Sequence, residues 1–301
     1  MAHPSELTRL LHRALEARLG RLLELWAVEG WPEDPEGVHQ VRVASRRVRA
    51  VLDLVDPDAY PGFKRHARQL KRITRALGAT RELDVHVLHL GVLRDRLPDA
   101  LHAAAAEHLL EHLERKLGKA RERMHRGLAR VSPRDLGRLL VQPEDRTLGV
   151  SDWRGAVWRC LEPWGRAVEA PLPGLLAVED GAGLHLLRIQ VKRFRYTLEV
   201  LEAAFPEPLA DLLQDLRELQ TALGRQHDHA VLEAFLAKAH GGLDARRRPV
   251  LANGVLDLAT LAAEERQAAY GRFQSLGQAL LAAAPLARLR GILERSSGAM
   301  A

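Results

Sequence analysis

At 301 residues the chain is long enough for two ordinary domains, or for one domain built from two similar halves. Charged residues make up 28% and hydrophobic residues 47%, the balance of a folded globular protein rather than a disordered one. No run approaches about 18 uncharged apolar residues, and Met1 to Leu11 lacks an apolar segment of signal-peptide type, so a cytoplasmic protein without membrane association is expected.

The single cysteine, Cys160, excludes an internal disulfide framework and a multi-cysteine metal cage, and reads as a structural thiol. The formal charge of +6 is concentrated in one place. Between Val38 and Arg75 ten cations face three acids, a net +7, so the rest of the chain sums to −1. A polyanion site requires concentration of this kind.

Leu, Ala, Arg and Glu dominate and strand-type alternation is hard to find, which predicts an all-α fold. Helix starts are expected at Ser5 with Thr8 and at Ser151 with Asp152, whose side-chain oxygens can satisfy first-turn amides. Breaks are expected at Gly30 to Gly37, Asp56 to Gly62, Ser132-Pro133, Pro171 to Gly183, Pro206 to Pro208 and Gly241 to Pro249. Helices of about one to two dozen residues should lie between them.

The segment Val38 to Arg49 aligns without gaps on Leu184 to Arg195, an offset of 146 residues. At that offset Ala76-Leu77-Gly78 falls on Ala222-Leu223-Gly224, Leu70 on Leu216 and Lys71 on Arg217. Two separate blocks sharing one offset point to a duplicated helical unit. The expected halves run over 5–145 and 150–295, with the boundary near Gln142 to Ser151. Helices pairing antiparallel through short loops would make each half a bundle.

At about 100° per residue, His39, Arg42, Arg46 and Arg49 fall within roughly 80° of one another. Val41, Ala44, Val48, Val51, Leu52 and Val55 occupy the other side and read as core. The second half repeats the design: His185, Arg188, Lys192 and Arg195 oppose Leu187, Phe194, Leu198 and Leu201, with Arg47 and Arg193 flanking the two stripes. A solvated helix face intersperses acids with its cations, because like charges at i and i+4 repel by a few tenths of a kcal/mol. These stripes contain no acids. Arginine suits a phosphate site because its planar fork clamps two oxygens and stays charged.

A third stripe, Lys64, Arg68, Lys71 and Arg75, lies within about 60° on its helix, with Arg65 and Arg72 beside it. Its counterparts in the second half, Ala210, Gln214, Arg217 and Thr221, are less basic, so the site is expected to be asymmetric in strength. A fourth stripe at Arg115, Lys119, Arg123 and Arg126 contains Glu122 nearby and competes with a solvated surface.

From His39 to Arg49 and from His185 to Tyr196, the pattern His, two residues, Arg, then a basic pair, one residue and Arg resembles the CHAD family, the conserved histidine α-helical domain. Leu77-Gly78 followed by Arg81-Glu82-Leu83-Asp84, and Leu223-Gly224 followed by His227-Asp228, continue the similarity, which covers Ser5 to about Leu293 in two copies. The resemblance implies two antiparallel four-helix bundles related by a pseudo-twofold axis, with basic residues around a central groove or pore that binds inorganic polyphosphate. It also implies association with polyphosphate granules. Some members carry a triphosphate-hydrolysing CYTH domain ahead of this module. No β-rich segment of alternating acids and bases occurs here, so that catalytic part is expected to be absent.

The expected polyphosphate ligands are thus His39, Arg42, Arg46, Arg47, Arg49, Arg68, Lys71 and Arg75 in the first half, and His185, Arg188, Lys192, Arg193 and Arg195 in the second. Lys64, Arg72, Arg115, Lys119, Arg123, Arg126 and Arg217 are additional candidates. Nucleic acid is the alternative ligand, since its backbone is also a chain of phosphates. Single-strand binders interleave aromatics for stacking, yet aromatics are 4% of this chain, and Tyr60, Phe63 and Tyr196 make a poor platform. A metal-dependent hydrolase is the other alternative, suggested by His227-Asp228-His229, by His86 with His89 and by His108 with His112. No carboxylate cluster stands beside them, so no enzyme activity, cofactor or metal is expected. His39 and His185, set among arginines, should lose protons readily, and each either donates to phosphate or orients its neighbouring arginine.

Overall fold

The computed structural model describes residues 6–295 apart from 56, 60–61, 98, 141–152, 206, 244–245 and 247. Every regular element among them is a helix. In chain order these are α1 (Glu6–Ala27), α2 (Pro35–Leu52), α3 (Phe63–Arg94), α4 (Ala100–Leu128), α5 (Pro133–Gly137), α6 (Trp153–Glu169), α7 (Leu172–Ala177), α8 (Gly181–Leu201), α9 (Ala210–Gly241), α10 (Pro249–Ala283) and α11 (Pro285–Arg295). Short 3-10 turns follow α2, α5 and α8. The expected helix starts at Ser5, Ser151 and Asp152, together with Tyr60, lie outside the described residues.

The element order repeats. Glu6 and Trp153, Pro35 and Gly181, Phe63 and Ala210, and Ala100 and Pro249 begin corresponding helices at offsets of 146 to 149 residues. In the first half α1 packs on α2, α2 on α3 and α3 on α4, and in the second α6 packs on α8, α8 on α9 and α9 on α10. Local devices repeat too. Asp34 caps α2 by accepting from the amides of Glu36 and Gly37, and Asp180 caps α8 by accepting from Ala182.

Four helices are longer than composition suggested: α3 and α9 have 32 residues each, α4 has 29 and α10 has 35. Their interior glycines do not break them, because burial of an apolar face outweighs the roughly 1 kcal/mol propensity cost of each. A break that sequence reasoning omitted, Asp95 to Asp99, separates α3 from α4, with the Asp99 side chain accepting from the His102 amide. The stretch Pro171 to Gly183 is not a plain loop, since α7 fills part of it.

The apolar faces of α2 and α8 are those expected: Val41, Val48 and Val51, and Leu187, Phe194 and Leu198, are fully buried. At about 1.5–3 kcal/mol for each large side chain, this burial seats the two helices firmly. They belong to one core that takes residues from both halves, while the far ends of the long helices form a second around Leu90, Leu113, Leu232 and Leu258. The earlier and later helices meet chiefly where α2 packs on α8 and where α4 packs on α10.

The second junction depends on a close approach. A Cβ on Gly254 would stand 2.7 Å from the Ala105 Cβ and 2.8 Å from the His102 carbonyl oxygen. Gly254→Val is expected to destabilise the protein by about 1–3 kcal/mol through overpacking. Gly271→Ala, where a Cβ meets nothing within 4 Å, should instead gain about 0.5–1 kcal/mol. Urea midpoints at unchanged slope would read both effects.

Candidate functional site

Because α2 and α8 turn their apolar faces into the shared core, their basic faces converge on the remaining side. There they form a cavity of about 450 Å³ with α3 and α9. Arg42 and Arg46 enter it from α2, Arg81 from α3, Arg188 and Lys192 from α8 and Arg225 from α9. His39, His86 and His227 also line it, as do two acids, Glu82 and Asp228. Two glycines make room for the central guanidiniums. A Cβ on Gly78 would lie 3.7 Å from Arg42 Nη1, and one on Gly224 would lie 4.0 Å from Arg188 Nε. These two arginine–glycine pairs are related by the same offset of 146 residues.

Fixed partners hold the cations in place. Arg42 Nη1 donates to the Thr74 carbonyl at 2.6 Å, and Ser45 Oγ donates to the Arg42 carbonyl at 2.8 Å. Arg188 lies 3.9 Å from Asp228, and its Nε is buried without a hydrogen-bond partner. Burial, reinforced by Arg46, Arg188 and Arg81, lowers the Arg42 guanidinium to about 10. Burial next to Arg188 and Arg46 lowers the Lys192 ammonium to about 7, with Asp228 opposing. His39 is held below its ordinary value by burial and then by Arg81. Six cations against two acids make this cavity strongly short of negative charge.

Only part of the expected ligand set reaches the cavity. His39, Arg42, Arg46, Arg188 and Lys192 do. Arg195 does not: it is 5% exposed, donates to Glu199 and Gln220, and covers the Tyr196 ring at 4.5 Å. A buried guanidinium satisfied in this way is no free phosphate ligand. Its counterpart Arg49 also stays outside the lining, one turn beyond Arg46. Arg193 lies over Trp164 at 4.8 Å, while His185 packs tilted against His227 at 4.7 Å and is itself outside the lining. Arg47 and Arg217 line a neighbouring cavity between α1 and α2.

Lys64, Arg68, Lys71, Arg72 and Arg75 are all exposed on α3. At 100° per residue Lys64, Lys71 and Arg75 continue the side of α3 that carries Gly78, so they prolong the basic face along the helix axis. Arg115, Lys119, Arg123 and Arg126 are exposed on α4, which packs mainly on α3 and α10, away from the cavity. Sequence reasoning missed Arg225, Arg18 and the role of Arg81. Arg81 and Arg225 sit three residues and one residue beyond the two glycines, a sign that they lie near the cavity, though only the facing of α3 and α9 brings them into it. Arg18, on α1, carried no such signal.

Of the histidines considered for metal binding, His86, His89, His227 and His229 make ring contacts with other side chains. His89 and His229 stack at 4.7 Å with 7° between planes, and His86 stands 6.2 Å from Phe235. Among the described residues no group of three His, Cys, Asp or Glu side chains could hold a metal ion.

The lowered Lys192 has a consequence for stability. In the unfolded chain a lysine keeps its proton to about 10.4. Between pH 7 and that value the unfolded state therefore binds more protons, and stability rises with pH. Below pH 7 the full cost of a buried charged Lys192 is present. Lys192→Met is thus expected to stabilise the protein by about 1–2 kcal/mol at pH 6, with the gain shrinking toward pH 10. Thermal unfolding across that range would measure it.

Comparison with known proteins places this geometry. Residues 13–237, more than half of the chain, match the model of the CHAD domain. Among solved structures, PptA from Streptomyces chartreusis is similar with a TM-score of 0.63 and 21% identity, over 90% of this chain and 99% of that one. The CHAD domain from the plant Ricinus communis is similar with a TM-score of 0.55 and 24% identity, over 98% of this chain and 94% of that one. No curated protein matches the chain. The chain belongs to the CHAD family, with which polyphosphate binding is associated.

Proposed function

We propose that this protein binds inorganic polyphosphate without hydrolysing it, through basic faces of both halves, and that it accompanies polyphosphate granules. The halves are taken as 5–145 and 150–295, related by a pseudo-twofold axis. The observation that carries the reading is the meeting of Arg42, Arg46 and Arg81 from one half with Arg188, Lys192 and Arg225 from the other in a single cavity. A chain of phosphates supplies several acceptor oxygens for each charge and has no bulky group between charges. Such a chain can thread a narrow cavity lined by guanidinium forks. Exposed Lys64, Lys71 and Arg75 extend the charge along α3 for a longer ligand. Holding rather than cleaving fits the two carboxylates present, since Asp228 lies beside Arg188 and Glu82 opposes the Arg42 shift.

Nucleic acid fits less well. Its bases would need open stacking faces, and the one tyrosine in the cavity lining is covered by Arg195. Long-chain polyphosphate is therefore expected to outcompete single-stranded DNA at equal total phosphate, with orthophosphate competing poorly. Arg42→Glu with Arg46→Glu, and separately Arg188→Glu with Lys192→Glu, should each lower affinity at least tenfold in a folded protein. Displacement of polyphosphate by DNA, or an unchanged affinity in either double variant, would falsify the assignment.

Binding should also depend on pH. A bound polyanion restores the proton to Lys192, so complex formation takes up protons above about pH 7. Affinity is expected to fall by several-fold between pH 6.5 and pH 8.5, within the limit of about tenfold per pH unit for one proton. Lys192→Arg, charged throughout this range, should flatten the profile in calorimetric titrations.

A further inference from the structure

Beside the central cavity lies a second one of about 580 Å³, bounded by α1, α2, α8 and α9. His39 and Val43 line both, so the two are adjacent. Arg18, Arg47 and Arg217 open onto the second cavity, and all three surround the Glu199 carboxylate. Arg195 donates a hydrogen bond to that carboxylate.

One carboxylate is too little for these guanidiniums. Arg47 Nε and Arg217 Nη2 each stand 3.9 Å from Glu199, attracted but outside hydrogen-bond distance. Arg18 donates to the Arg47 carbonyl at 3.4 Å, a bond that returns no charge to it. Four arginines in the lining, Arg18, Arg21, Arg47 and Arg217, against two acids, Glu36 and Glu199, leave a net +2. Glu199 is only 11% exposed, whereas Arg47 and Arg217 are 45% and 48% exposed and free to reach a ligand from solvent.

We propose that this cavity is a second phosphate subsite, continuous with the central one, in which the Glu199 carboxylate stands where a phosphate group of a longer chain would sit. The proposal deepens the polyphosphate reading and rests on it. Glu199 would keep the arginines of the subsite gathered in the free protein and weaken the binding of short anions there. A long chain, anchored in the central cavity, brings enough local charge to share or displace those contacts. The carboxylate would thereby favour long polyphosphate over short.

Calorimetry with tripolyphosphate and with long-chain polyphosphate tests this. Glu199→Gln keeps an acceptor for Arg195 and removes the unit negative charge that competes with the incoming phosphate. Tripolyphosphate should then bind about fivefold tighter or more, and the gain should vanish when Arg18→Ala and Arg47→Ala are added. No gain, or a gain that survives those two changes, overturns the subsite. Should Glu199→Gln fail to fold, Arg47→Ala with Arg217→Ala changes two half-exposed side chains in an otherwise native protein. Long-chain affinity should fall at least fivefold, and an unchanged value overturns the proposal. Failure of the wild-type protein to bind long-chain polyphosphate would instead remove the functional reading. A tripolyphosphate gain in Glu199→Gln would even then leave an anion subsite standing, and its absence would remove both.

Discussion

Repulsion between like charges held close together is the constraint around which this molecule is organised. Arg42, Arg46, Arg188 and Lys192 share one cavity, where burial first and neighbouring arginines second lower the proton affinity of Arg42, Arg46 and Lys192. Only the Thr74 carbonyl and the acids Asp228 and Glu82 favour that arrangement locally. It persists because the opposite faces of the same helices are buried: Val41 and Val48 behind the arginines of α2, Leu187 and Phe194 behind those of α8. Burial worth about 1.5–3 kcal/mol per large side chain holds together charges that would otherwise separate. The stability of the core and the strain of the site therefore reside on the two sides of the same helices, as happens where function is favoured over stability.

Repetition of local devices gives this strain its shape. Asp34 and Asp180 start the two helices at equivalent points, and Gly78 and Gly224 clear space under Arg42 and Arg188. Each half contributes the same local device, and the α2–α8 packing sums them in one place. The last basic residue of each stripe then takes a different fate. Arg49 stays outside the lining, whereas Arg195 is buried against Glu199. A buried ion pair is costly to break, because either partner left alone is an uncompensated charge. In the second half one cation has thus become part of the scaffold, which makes the two sides of the cavity unequal.

The helical fold and the faces of α2 and α8 were legible in the sequence, since each depends on spacing along one helix. Helix lengths were less so. The expected one to two dozen residues fall short of α3 and α10, whose lengths of 32 and 35 residues depend on the partner helices they pack against. The site was legible where a side chain's direction follows from its own helix, as for His39, Arg42 and Lys192. It was illegible where the outcome depends on a neighbour. That Arg195 would find Glu199 and Gln220, that Arg193 would find Trp164, and that Arg18 would come across from α1 are properties of packing between elements. Arg81 and Arg225 fall between these cases. Their residues were in view, but only the facing of α3 and α9 toward the cavity made them part of it.

The acids left inside explain how a cavity so rich in cations stays open. Without Asp228 and Glu82, nothing in the lining would oppose the mutual repulsion of the arginines, and the long side chains would swing toward solvent, where their charge is better solvated. With many more acids the cavity would be self-neutralised, and an incoming anion would have to break ion pairs before making new ones. The observed balance lies between these limits. Each acid restrains a cation from one half, Glu82 acting on Arg42 and Asp228 on Arg188, while the remaining charge stays unspent. Glu199 performs the same service next door, gathering Arg47 and Arg217 at distances too long for a hydrogen bond. A cation held near its acid but not bonded to it keeps its direction and can still turn to an anion, which is the state a preorganised polyanion site requires.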